Sequence, residues 1–116
     1  MKKFAMILFA AVAISAFAAD TTVKGTLVDL ACAKEDGQTP GFGAKHTKGC
    51  LQMADCEKSG YGVLTADKKV IKFDTAGNAT AKKFINDLTK KKDIQVTVTG
   101  AVNGDSMTVT KIDLQP

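Results

Sequence analysis

The residues of this 116-residue chain that can bind metals or react with electrophiles are concentrated in one stretch, which begins at Cys32 and ends at Cys56. That stretch contains all three cysteines and the only histidine: Cys32, His46, Cys50 and Cys56. Thiolates and imidazole are the usual ligands of Zn²⁺, and thiolates with a nearby thioether suit Cu(I). The sequence therefore predicts a Zn or Cu site formed by these four side chains.

Two further residues are predicted to assist these ligands. Asp29 lies three residues before Cys32, where its carboxylate can orient the His46 ring or accept a hydrogen bond from the loop backbone. Met53 lies between the second and third cysteines, and its thioether is either a copper ligand or apolar filler of the core. The sequence leaves both choices open.

The three cysteines also support a prediction without metal. In an oxidising compartment cysteines tend to pair, and Cys32 can pair with Cys50 or with Cys56. A regular helix would separate Cys50 from Cys56 by about 9 Å along its axis, which disfavours a bridge between those two. One thiol is then left over, and it either stays free or links two copies into a dimer. The alternative function is thus a disulfide-stapled structural or interaction module.

Catalytic signatures are missing from this stretch of sequence. A Cys–His nucleophile pair would need an orienting third group and an oxyanion site, and the sequence indicates neither. The Cys-x-x-Cys redox motif and the haem motif Cys-x-x-Cys-His are also absent from the sequence. We therefore predict a binding protein and not an enzyme, with a metal ion or another small ligand as its partner.

The N-terminal residues are typical of an export signal. Two lysines precede an apolar run from 4 to 17, and a small-residue cleavage pattern ends at Ala18. The run is shorter than the roughly 20 residues of a transmembrane helix. We predict that residues 1–18 are removed, that residues 19–116 form one periplasmic or secreted domain, and that no stable membrane insertion follows cleavage.

Composition argues against a nucleic-acid partner. The formal charge of +4 falls to +2 without the two lysines of the signal. The chain has no arginine, no tryptophan and one tyrosine, so bidentate phosphate contacts and stacking platforms are scarce. We predict no nucleic-acid binding and a monomer, unless an unpaired cysteine joins two copies.

Apolar and polar residues alternate in five segments, which predicts five strands. The predicted strands cover residues 23–31, 61–66, 69–74, 94–102 and 107–114. Asn103 and Gly104 predict a hairpin turn, and the apolar face changes near Thr110, as in a strand that bends.

Helical spacing is restricted to two segments. An apolar stripe predicts a helix from about Ala79 to Lys91, capped by Asn78 or Thr80. A short helix is predicted over residues 44–58, after a Gly- and Pro-rich loop at 34–43.

A helix between the third and fourth of five strands is the order of an OB barrel. We therefore predict a mainly β protein with one or two helices, a five-stranded OB-like barrel, with a small α+β sandwich as the alternative. Residues 32–60 would form a long insertion between strands one and two.

Several short motifs together resemble a group of small exported bacterial proteins with an OB-like fold, which are mostly uncharacterised. These motifs are VKGTLVDLAC (23–32), HTKGCLQMADC (46–56), GYGVLT (60–65), VTVTG (96–100) and MTVTKI (107–112). The resemblance implies a shared site of Asp29, Cys32, His46, Cys50, Cys56 and Gly60. The two later cysteines lie six residues apart here, which is wider than in the group.

Overall fold

Alternating side chains produce the five strands that the sequence predicts. The computed structural model describes residues 20–116, so the predicted signal peptide lies outside the described residues. The strands are β1 (Thr21–Asp29), β2 (Tyr61–Leu64), β3 (Val70–Phe73), β4 (Gln95–Asn103) and β5 (Ser106–Leu114).

These strands form one mixed sheet that closes on itself in the order β1-β2-β3-β5-β4. All neighbours are antiparallel except β3 and β5, which are parallel. β1 closes the ring because Thr26 pairs with Leu64 on β2 and with Gln95 on β4. The predicted turn at Asn103 and Gly104 is confirmed, and Gly104 adopts a φ of 64°.

The predicted bend in the last strand is confirmed as a β-bulge. Thr99 pairs with Lys111 and Gly100 with Val109, so Thr110 has no partner on β4. An extra residue on one strand bends and twists the pair, which is how a sheet acquires the curvature needed for closure.

The prediction of one or two helices is wrong, since residues 20–116 form an α+β domain in which five short helices accompany the sheet. They are α1 (Leu30–Asp36), α2 (Phe42–Lys45), α3 (Lys48–Leu51), α4 (Ala54–Ser59) and α5 (Thr75–Asp87). Within residues 20–116, no helix combines the length and apolar character needed to span a bilayer.

The segment between β1 and β2 departs most from the sequence prediction. The strand expected to reach Ala31 stops at Asp29, because the Asp29 side chain caps α1. The single helix expected over residues 44–58 is broken twice, because His46 and Met53 adopt extended backbone conformations.

Helix α5 begins four residues earlier than predicted. Its N-cap is Asp74, whose carboxylate accepts a hydrogen bond from the Gly77 N–H at 2.9 Å. The predicted apolar stripe is nevertheless correct, since Ala81 and Ile85 are buried and Leu88 closes the helix.

The core lies inside the closed sheet and under α5. Its fully buried members include Leu27, Leu51, Val63, Ile85, Val96, Val98 and Met107. Leu51 comes from α3 and is 0% exposed, so the segment between β1 and β2 is anchored in the same core as the strands. Burying one such side chain stabilises the fold by about 1.5–3 kcal/mol.

Candidate metal centre

The junction between β1 and α1 places Asp29 at the centre of the site. Asp29 has an extended backbone and its Oδ2 accepts a hydrogen bond from the Cys32 N–H at 2.9 Å. Aspartate is a preferred N-cap because its carboxylate satisfies an N–H group that has no partner inside the helix. The cap therefore fixes Cys32 directly beside a carboxylate that is 0% exposed.

The start of α1 is bonded to the end of α4. The Leu30 N–H donates to the Gly60 carbonyl at 2.9 Å, and the Ala31 N–H donates to Ser59 Oγ at 3.1 Å. The Ser59 hydroxyl in turn donates to the Cys56 carbonyl at 2.6 Å. These bonds bring Cys56 next to the first turn of α1. Sequence reasoning missed Ser59, because one serine at a helix end carries no signal of a partner so distant in the chain.

The thiols of Cys32 and Cys56 face each other, with their Sγ atoms 3.9 Å apart. Together with a carboxylate oxygen of Asp29, these sulfurs form a group of three ligand atoms that lie within 4.8 Å of one another. No pair among the cysteines, all of which fall in the described residues 20–116, is at disulfide distance. Two sulfurs bound to one tetrahedral Zn²⁺ at about 2.3 Å would lie about 3.8 Å apart.

His46 contacts this group through Asp29. Its Nε2 lies 2.9 Å from Asp29 Oδ1, and both side chains are buried. The Phe42 ring packs against the His46 ring, with the two ring centroids 4.9 Å apart. The sequence suggested that Asp29 would orient His46 or bond to backbone, and the carboxylate does both. Each carboxylate oxygen has a second lone pair, so these bonds leave Asp29 able to bind a cation.

A segment far along the chain fixes the backbone of His46. The Asp93 N–H donates to the His46 carbonyl at 3.2 Å, and the Lys48 N–H donates to the Lys91 carbonyl at 2.8 Å. Thr47 and Lys92 form an isolated antiparallel bridge between these two bonds. The residues before β4 thereby hold the break between α2 and α3 in place.

The candidate site carries the negative charge of the Asp29 carboxylate. Burial raises the pKa of Asp29, but hydrogen bonds from His46 and from Cys32 outweigh it, so that the pKa falls to about 2. The carboxylate is therefore charged at neutral pH. A buried carboxylate with two neighbouring sulfur atoms is a favourable environment for a cation.

Burial and the neighbouring carboxylate favour the protonated form of both thiols. Burial, followed by the charge of Asp29, raises the pKa of Cys32 to about 12. Burial and a hydrogen bond to Asp29 likewise raise the pKa of Cys56. A nucleophilic cysteine needs a lowered pKa, so neither thiol is activated for covalent catalysis.

Of the predicted ligands, Cys32 and Cys56 converge, while Cys50 lies outside the group of ligand atoms that fit within 4.8 Å. Cys50 is half-buried on α3, with its N–H bonded to Thr47 Oγ1 at 3.0 Å. The core-filler reading of Met53 is wrong, since 57% of that residue is exposed.

One cleft among the described residues lies away from the thiols. This cavity of about 360 Å³ borders the segment between β1 and β2, and Thr26, Phe42, Leu64 and Gln95 are among the residues that line it. None of its lining residues is a cysteine. The thiol group is therefore suited to an ion, whereas an organic ligand would find room in the cavity.

Comparison with known proteins finds no matching family model, no curated protein and no solved structure with significant similarity to the chain.

Proposed function

We propose that this chain is a small exported protein that binds one metal ion through Cys32, Cys56 and Asp29. The observation that carries the proposal is the 3.9 Å separation of the two sulfurs beside a buried carboxylate. That separation is close to the roughly 3.8 Å expected for two thiolates on a tetrahedral Zn²⁺.

The mixed donor set favours zinc over copper. Thiolates suit both Zn²⁺ and Cu(I), but a carboxylate is a poor ligand for a soft ion and a common one for Zn²⁺. Three protein ligands leave the fourth position of a tetrahedron open to water or to a small ligand. His46 supports the site by holding Asp29, in the manner of the partners that orient metal-binding groups.

Export and the OB-like barrel are parts of the same proposal. The N-terminal sequence pattern supports export. The closed sheet and the helix between β3 and β4 support the OB-like interpretation, in which the segment 32–60 is an insertion after the first strand.

The proposal is tested by metal titration of the reduced protein after removal of bound metal with a chelator. We expect one Zn²⁺ per chain for the wild type and for Cys50→Ser, and loss of stoichiometric binding for Cys32→Ser and Cys56→Ser. Cobalt is a suitable spectroscopic probe, because thiolate coordination gives it a distinctive absorption. Loss of binding in Cys50→Ser would contradict the three-residue site and favour the four-residue set predicted from sequence.

A second candidate function is a structural or interaction module in which a disulfide replaces the metal. The approach of Cys32 to Cys56 favours it, because a bridge between them would tie α1 to α4. A staple across a loop of this length contributes about 3 kcal/mol in the chain-entropy model. A native protein with one free thiol that still binds no metal after reduction would support this candidate and contradict the first.

A further inference from the structure

Cys32 and Cys56 differ in exposure although their sulfurs are neighbours. Cys32 is half-buried, whereas Cys56 is 6% exposed. Their Sγ atoms lie 3.9 Å apart, so disulfide formation requires them to approach by about 1.9 Å. The Cys32 thiol is thus accessible to a reagent from solvent, and the buried Cys56 thiol lies beside it.

We infer that Cys32 and Cys56 form a reversible dithiol–disulfide pair that exchanges with external disulfides, and that oxidation of the pair and metal binding exclude each other. The exclusion rests on the proposed metal function. The exchange reaction rests only on the geometry and exposure of the two thiols.

The exchange proceeds in two displacements. Cys32 loses its proton and attacks one sulfur of an external disulfide, whose S–S bond breaks; one external thiol leaves with a proton, and a mixed disulfide remains on Cys32. Cys56 then loses its proton and attacks the Cys32 sulfur, which releases the second external thiol. The two protein thiols lose two electrons and two protons, and the external disulfide gains both.

Metal binding and oxidation compete because they use the same two sulfur atoms. A metal ion binds both sulfur atoms as thiolates, whereas in a disulfide neither sulfur atom is a thiolate. By mass action, zinc at about 100 times its dissociation constant stabilises the reduced form about 100-fold. The oxidising strength needed to close the bridge must rise by the same factor.

The test uses the Cys50→Ser protein, in which Cys32 and Cys56 are the only thiols. It is equilibrated without metal in glutathione buffers of increasing oxidising strength, because protonated thiols exchange slowly and only the end point is informative. Remaining thiols are then alkylated, and intact mass and peptide mapping identify the bonds formed. The matched control adds Cys32→Ser, which leaves Cys56 alone.

We expect Cys50→Ser to lose both thiols without gaining glutathione and to yield a linked Cys32–Cys56 peptide, while the control gains at most one glutathione. With zinc at about 100 times its dissociation constant, the midpoint should move about 100-fold towards the oxidising side. Glutathione adducts on Cys32 and Cys56 without a linked peptide would overturn the exchange. In the wild type, a bridge to Cys50 in place of Cys32–Cys56 would overturn the assignment of the pair.

A zinc titration of the same reduced Cys50→Ser protein separates this inference from the proposed function. If zinc binds and no bridge forms, the exchange is wrong and the metal function stands. If the bridge forms and zinc does not bind, the metal function and the mutual exclusion are both wrong, and the exchange stands.

Discussion

Asp29 is the residue on which the polar contacts of the site converge. Its carboxylate accepts hydrogen bonds from the Cys32 N–H and from the His46 ring. One of its oxygens also lies within 4.8 Å of the sulfur atoms of Cys32 and Cys56. Asp29 thus caps a helix, pairs with a histidine and faces two thiols. The two oxygens of one buried carboxylate are enough for all three roles, because each oxygen can accept more than one contact.

Stability of the metal-free protein should fall in acid through Asp29. Its pKa is about 2 in the folded protein against an ordinary 3.8, so between these values the unfolded chain binds more protons. Asp29 therefore contributes roughly 2 kcal/mol above about pH 4, and this contribution is lost as pH falls through 2. Urea unfolding between pH 2 and 6, with chelator present, measures how the free energy of unfolding changes as this contribution is lost.

Asp29→Asn is the matched variant for that measurement, since asparagine still caps a helix. The stability difference between wild type and variant should shrink towards pH 2. An unchanged difference across that range would show that another group carries the acid sensitivity.

His46 should tune metal affinity without being required for stoichiometry. Its Nε2 holds Asp29 at 2.9 Å, and loss of such a supporting bond typically weakens metal binding about 10–100-fold. We expect His46→Ala to bind one zinc with affinity reduced by that factor in a competition titration with a chromophoric chelator. His46→Gln, which keeps an N–H donor, should lose less. Complete loss of zinc from His46→Gln would indicate that His46 is itself a ligand.

At the scale of elements, the site is made by the contact between α1 and α4. Neither helix exceeds seven residues, and isolated helices of that length are unstable in water. They persist because the first N–H groups of α1 are satisfied by Ser59 and Gly60. In addition, the Tyr61 hydroxyl on β2 donates to the Leu51 carbonyl of α3 at 2.8 Å in a buried position.

Gly60 is the glycine on which the contact between α1 and α4 depends. It turns the chain from α4 into β2 with φ 89° and ψ 174°, a backbone region open essentially to glycine alone. We expect Gly60→Ala to lower the free energy of unfolding by roughly 1–3 kcal/mol and to weaken zinc binding, because Cys56 moves with the end of α4. Chemical denaturation and zinc titration measure the two effects.

Gly49 provides the matched control. It is exposed within α3, and an added Cβ would meet only Thr47 Oγ1 at 3.7 Å. Gly49→Ala should therefore be neutral or stabilise the protein by about 0.5–1 kcal/mol. Equal losses in both variants would mean that the conformation of Gly60 is not what matters.

At the scale of the whole molecule, the site and the core are one folding unit. Leu51, which belongs to the segment between β1 and β2, is buried in the same core as Ile85 and Val98. Asp29, Cys32 and Cys56 therefore come together in the folded chain, where β1 pairs with β2 beside them. A ligand that binds only this folded arrangement must stabilise the entire domain.

Zinc should accordingly raise the thermal and chemical stability of the reduced protein. At free zinc of about 100 times its dissociation constant, the gain is about 2.7 kcal/mol. Cys32→Ser and Cys56→Ser should show none of this gain, whereas Cys50→Ser should show it in full. A similar gain in all variants would indicate zinc binding elsewhere on the chain.

The sequence alone predicted the five strands, the hairpin at Asn103 and Gly104, the bend near Thr110 and two members of the candidate metal site, Cys32 and Cys56. These features depend on local alternation, turn chemistry and residue type, all of which can be read within a few neighbouring positions. The same reasoning misplaced the start of α5, because several residues there can cap a helix and only packing selects Asp74.

Only the tertiary structure decided which of the predicted ligands meet. Asp29 and Cys56 are 27 residues apart in the chain, and bonds among Leu30, Ser59 and Gly60 bring them together. The breaks at His46 and Met53 likewise depend on surrounding contacts, including the pairing with residues 91–93. Local pattern cannot encode contacts of that range, because they need the pairing of β1 with β2, which fixes both ends of the segment.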